Sequence, residues 1–141
     1  MGLYAKYVLP RLIDLAMRNK DTTRLRAVCV PQAQGEVLEI GIGSGLNLPF
    51  YSSDVHRVYG VDPSIELQRM AAKKASSIPF DVTFFRQSAE EMLPLADSSI
   101  DTIVMTWTLC SIPDPLVALQ QMRRVLKQGG QMIFCRARQF S

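Results

Sequence analysis

Val37-Leu38-Glu39-Ile40-Gly41-Ile42-Gly43-Ser44-Gly45 is the stretch on which the fold of this 141-residue chain turns. A short apolar run, Val37 to Ile40, predicts a strand, and it passes directly into a Gly-x-Gly-x-Gly loop. Glycines at this spacing let the backbone turn sharply and let a ligand come close where a Cβ would collide. In a doubly wound α/β sheet such a loop sits at the carboxyl end of the first strand, where ligands bind. The same glycines also suit a tight strand-to-helix turn with no ligand, so the loop alone leaves both readings open.

The next segment narrows the choice. Arg57 to Val61 reads as a second strand and ends at Asp62, about 20 residues beyond the first glycine, where a strand-tip carboxylate can accept hydrogen bonds from ribose hydroxyls. Asp62 could instead cap the following helix, and Ser64 is a second candidate for that cap. A dinucleotide fingerprint would place a third glycine where Leu46 stands, to pack helix on strand beneath a pyrophosphate. Leu46 and the lack of an acid for a hydride site therefore disfavour an NAD-linked oxidoreductase. Glu39-x-Gly-x-Gly-x-Gly suits a nucleoside ligand with a zwitterionic tail and no phosphate.

Further along, Val82 to Phe85, Ile100 to Thr106 and Gln131 to Cys135 read as strands. Helical periodicity predicts helices over Ser64–Ser77 and Pro115–Lys127 and a short one at Ala89–Met92. Strands alternating with helices imply βαβ units and a mainly parallel sheet. Before the first strand, Leu3 to Asn19 forms an amphipathic stripe broken at Pro10, and a second helix starts near Asp21 as N-cap and runs through Leu25 and Val28. One domain is expected over residues 1–141, with 1–34 as a helical cap.

Sixteen basic against 13 acidic residues give a net charge of +3 without any block of like charge, so composition offers no reason to invoke nucleic acid. Cys29, Cys110 and Cys135 are widely spaced and His56 is the single histidine, a set that predicts reduced thiols and no metal site. With no apolar run long enough to span a bilayer and no signal-peptide pattern, a cytoplasmic location is expected.

The glycine block, with Val58-Tyr59-Gly60-Val61-Asp62-Pro63-Ser64, Gln87-Ser88-Ala89-Glu90-Glu91-Met92-Leu93-Pro94 and Arg124-Val125-Leu126-Lys127-Gln128-Gly129-Gly130, resembles the motifs of class I S-adenosylmethionine (SAM) dependent methyltransferases. The run Thr106-Trp107-Thr108-Leu109-Cys110-Ser111-Ile112-Pro113-Asp114-Pro115 makes it look most like the small-molecule branch, including quinone-biosynthesis and thiol or phospholipid methyltransferase-like proteins. The resemblance implies a Rossmann-like sheet of order 3-2-1-4-5 with flanking helices. It also implies SAM as cofactor and a small, lipophilic or thiol-type methyl acceptor.

Residue by residue, it implies that Gly41, Gly43 and Gly45 pack against the methionine part of SAM, with Glu39 near its ammonium group. Asp62 would hold the ribose, Pro63 and Ser64 would lie along one adenine face, and Ser88 and Ala89 would meet the adenine edge. Thr106 and Trp107 would stand beside the sulfonium and the acceptor, although core packing serves Trp107 equally well.

Methyl transfer needs no dedicated catalytic side chain, since orienting donor and acceptor supplies much of the effect. His56 belongs at the end of its strand away from the crevice, and Asp114-Pro115 reads as an N-cap with Pro at the first helical position. The N-terminal stripe suits packing on the sheet or contact with an anionic membrane surface. Compared with the family, the chain lacks the C-terminal strand pair. That departure predicts a homodimer through the fifth-strand edge and keeps open a second function, a non-catalytic SAM-binding module that needs a partner chain.

Overall fold

Parallel neighbours need a crossover between them, and in the computed structural model, which describes residues 20–106 and 112–135, a helix provides it between the second and third strands and between the fourth and fifth, with a 3₁₀ turn between the first and second. Helix α1 (Lys20–Cys29) and a 3₁₀ turn (Val30–Gln32) lead into β1 (Gly35–Ile40). A 3₁₀ turn (Leu48–Phe50), β2 (Val55–Val61), α2 (Ile65–Ala75) and β3 (Asp81–Phe85) follow, then β4 (Ile100–Thr106), α3 (Pro115–Val125) and β5 (Leu126–Cys135). The five strands form one parallel sheet of order β3-β2-β1-β4-β5, the order expected from the sequence.

The central strands are apolar on both faces, as a sheet covered on both sides requires. Val37, Val58 and Val104 share one core with Val30, Ile42 and Leu48, while Leu38, Ile40, Ile103 and Met105 share the other with Ala118, Met122 and Val125 of α3. Strand order reverses between β1 and β4, which diverge beyond their last register pair, Ile40 with Met105. A crevice at such a switch point is the ligand position of this architecture.

Two of the helix caps agree with the sequence. Ser64 Oγ accepts from the Leu67 amide at 3.3 Å, and Asp114 Oδ1 accepts from the Val117 amide at 3.3 Å with Pro115 behind it.

Three expectations need correction. The segment Ala89–Met92 is a turn and not a helix, because the Gln87 side chain donates to the carbonyls of Ser88, Glu91 and Met92, and Pro94 disfavours helical backbone at Leu93. Helix α1 already contains Lys20, so Asp21 lies within the helix and is not its cap. Its inward side is polar: Arg26 is 4% exposed and Thr22 buried, whereas Val28 is 67% exposed. Finally, α3 stops at Val125 and β5 begins at once with Leu126 opposite Ile100; Lys127–Gly130 then bulges before Gln131 pairs with Thr102. Gly129, at φ 82°, makes that bulge possible, and Lys127 Nζ meets Asp101 Oδ1 there at 2.9 Å.

Candidate active site

Gly41, Gly43 and Gly45 all have positive φ, at 73°, 55° and 82°, so the loop after β1 takes a path closed to most other residues. Its glycines do different work. At Gly43 a Cβ would find its nearest neighbour at 3.9 Å, so the loop apex is open to a ligand. At Gly45 a Cβ would stand 3.0 Å from both Ala71 Cα and the Leu48 side chain, so this glycine lets α2 pack on the loop. The Lys74 ammonium fastens the same contact by donating to the Ser44 carbonyl at 2.8 Å.

Asp62 ends β2 directly opposite the loop. Its Oδ2 accepts from the Gly43 amide at 3.1 Å and its Oδ1 from the Ser64 amide at 2.8 Å, so it joins the loop to the start of α2 and is not the helix cap. Burial raises its carboxyl above the ordinary range, and the two amides pull it partly back. Gln68, reaching back from α2, donates to the carbonyls of Asp62 and Phe85 at 2.9 and 2.8 Å and ties the tips of β2 and β3 together.

At the tips of β1 and β2 lies a cleft of 470 Å³, within the size range of small-molecule sites. Gly41, Asp62, Pro63, Ser88 and Ala89, all expected from the sequence, line it, together with Gln87 and Pro113. The Ser88 hydroxyl is engaged with Glu90, donating to Oε1 at 3.3 Å and accepting from its amide at 3.4 Å. The buried Ala89 amide meets no acceptor among the described residues. Ser64 turns its hydroxyl to helix capping.

Glu39 and Thr106 lie deeper, behind the loop. Glu39 is 1% exposed, its Oε1 accepting from the Tyr51 hydroxyl at 2.6 Å and its Oε2 from Asn47 Nδ2 at 3.2 Å. Burial pushes its carboxyl up to about 7, against the hydrogen bonds from Tyr51 and Asn47 and the Arg26 charge; the Asp62 charge adds to the rise. Thr106 ends β4 and accepts from Asn47 Nδ2 at 3.1 Å. Trp107 lies outside the described residues, as does the N-terminal stripe with Tyr4 and Tyr7. His56 is exposed at the opposite end of β2 from Asp62.

Asn47, Tyr51, Arg26 and Gln68 are buried polar residues that motif reading passed over. A signal was present for two of them: Asn47 and Tyr51 stand in the otherwise apolar run Leu46 to Tyr51, and an acid on a buried strand, such as Glu39, requires donors.

Residues 38–134 match the family model described as a methyltransferase domain. The chain belongs to that family. This methyltransferase domain is 34% identical over 111 residues to phosphatidylethanolamine N-methyltransferase of Cereibacter sphaeroides, covering 78% of the chain and 54% of that protein. It is 37% identical over 101 residues to thiol S-methyltransferase TMT1B of Rattus norvegicus, covering 70% of the chain and 41% of that protein. Among solved structures, a SAM-dependent methyltransferase from Thermotoga maritima superposes with a TM-score of 0.66 at 29% identity, covering 92% of this chain and 60% of that one. The methyltransferase domain thus spans about half the length of these curated relatives.

Proposed function

We propose that this domain binds SAM across the carboxyl ends of β1, β2 and β4 and serves methyl transfer to a small, lipophilic or thiol-type acceptor. The observation that carries the reading is Asp62, a carboxylate fixed by the Gly43 and Ser64 amides at the wall of the cleft. Each of its oxygens retains a lone pair for a ribose hydroxyl.

The other groups fit the same ligand. The buried Ala89 amide offers a donor to an adenine ring nitrogen, Pro63 offers an apolar wall, and the loop apex at Gly43 leaves room for a thioether chain to pass over the backbone. Glu39, below that loop, provides the one buried carboxylate besides Asp62 among the described residues, suited to the field of an ammonium group. Bound SAM supplies a methyl group activated on a sulfonium, with the leaving group built in. What the chain itself contributes is orientation and exclusion of water, worth up to roughly 7–11 kcal/mol in favourable systems. Consistent with that, we assign no general base.

Lipid and thiol acceptors appear in the names of the relatives, and they motivate the acceptor class. Contact of the N-terminal stripe with a membrane surface, association through the β5 edge and a cytoplasmic location belong to the same reading. No described helix is long and apolar enough to cross a membrane.

Calorimetry with SAM and S-adenosylhomocysteine tests the core of the proposal. Saturable binding that Asp62→Ala abolishes is expected, and a chain that binds neither compound overturns it. Turnover against a panel of thiols, quinones and phosphatidylethanolamine then decides between methyl transfer and cofactor binding without catalysis.

A further inference from the structure

Asn47 uses its whole carboxamide inside the protein, at 3% exposure. Its Oδ1 accepts from Arg26 Nε at 3.0 Å, and its Nδ2 donates to Glu39 Oε2 at 3.2 Å and to Thr106 Oγ1 at 3.1 Å. Four segments therefore meet at one side chain: α1 through Arg26, β1 through Glu39, β4 through Thr106, and the loop that carries Asn47 itself. An amide is the side chain that fits, since one acceptor faces a guanidinium while two N–H donors face two oxygens. Aspartate has no donor when ionised, and a hydroxyl has only one.

The place of this hub matters as much as its bonds. β1 and β4 stop pairing at Ile40 and Met105, and the crevice opens beyond that pair. Glu39, in register with Val104, and Thr106, two residues further along β4, lie on the adjacent strands behind that opening, and the Asn47 amide bridges them.

We infer that Asn47 is a positioning residue for the cofactor's amino-acid end: it fixes the Glu39 side chain behind the glycine loop and ties it to Thr106 at the end of β4. The inference rests on the SAM reading above and adds a residue to it. Through Arg26, it also makes α1 part of the donor site and not merely a cover.

Two ligands separate positioning from general support of the fold. S-adenosylhomocysteine carries the amino-acid tail, and 5′-methylthioadenosine has the nucleoside and thioether without it. In calorimetry on the 141-residue chain, Asn47→Asp and Asn47→Ser are expected to weaken S-adenosylhomocysteine about tenfold or more while methylthioadenosine changes by less than about twofold. Equal losses for both ligands, or no loss for either, overturn the inference. So does unfolding of both variants, followed by circular dichroism, which would make Asn47 a support of the core alone. A wild-type chain that binds neither ligand overturns the cofactor reading itself, a result distinct from all of these.

Discussion

The Tyr51 hydroxyl donates to Glu39 Oε1 at 2.6 Å, a bond made between two buried side chains at the back of the glycine loop. The Glu39 charge and burial together hold the Tyr51 phenol well above its ordinary range, with burial the larger influence, so Tyr51 stays a donor at any physiological pH. Removing that donor leaves a buried carboxylate oxygen unsatisfied. Tyr51→Phe is expected to cost about 1–3 kcal/mol of stability, measured by urea unfolding near neutral pH. An unchanged midpoint would show that the bond contributes nothing net.

Glu39 gives the protein a pH dependence of definite sign. Its folded-state value near 7 lies above the ordinary 4.5, so between these values the native state holds a proton that the unfolded chain releases. Stability is therefore full below about pH 4.5 as far as this group is concerned and falls as pH rises towards 7, by about 3 kcal/mol in total. Burial shifts Asp62 in the same direction. Glu39→Gln should flatten the slope of unfolding free energy between pH 5 and pH 7, roughly the interval over which the shift acts. A slope identical to wild type would assign the dependence elsewhere.

Asp62→Asn retains the shape of the side chain but loses a charge that two amides and, in the proposed complex, two hydroxyls address. We expect S-adenosylhomocysteine affinity to fall at least about tenfold. An affinity within experimental error of wild type would remove Asp62 from the ribose site.

Gly60 is the strand residue on which the loop rests: a Cβ there would come within 2.5 Å of Ile42 Cδ1 and 2.9 Å of Ile42 Cγ2. Gly60→Ala is expected to destabilise the domain by roughly 1–3 kcal/mol through overpacking and to weaken ligand binding, although Gly60 does not line the cleft. Thermal unfolding and calorimetry on the same variant check both effects.

Cys135 is 2% exposed, and burial, with the neighbouring Cys29 thiol, raises it well above the ordinary thiol range. Iodoacetamide at pH near 8, about the ordinary thiol range, should spare Cys135 in the native protein and label it after denaturation. Native labelling mapped to Cys135 by mass spectrometry would contradict the burial.

The strands and the Asp62 position were legible because each depends on a local signal, namely apolar runs of strand length, a glycine loop and an acid at a strand tip, whereas the sheet order came from the family resemblance. Asp114 and Ser64 were legible as caps for the same reason. The polar layer was not, because nothing in the periodicity of Lys20 to Cys29 announces that Arg26 turns inward while Val28 faces solvent; that preference is set by Asn47, 21 residues later. Gln87 similarly undid a helical reading of Ala89–Met92 by competing for its carbonyls through a side chain. The motif assigned one role to three glycines, and packing divides them between ligand access and helix contact.

Ile42 seated on Gly60 means that the donor loop is latched onto the very strand that presents Asp62. Loop and carboxylate then travel as a single body, with the Gly43-to-Asp62 bond as a second clasp. A nucleoside arriving at this site would meet a finished surface and would spend little of its affinity on ordering it.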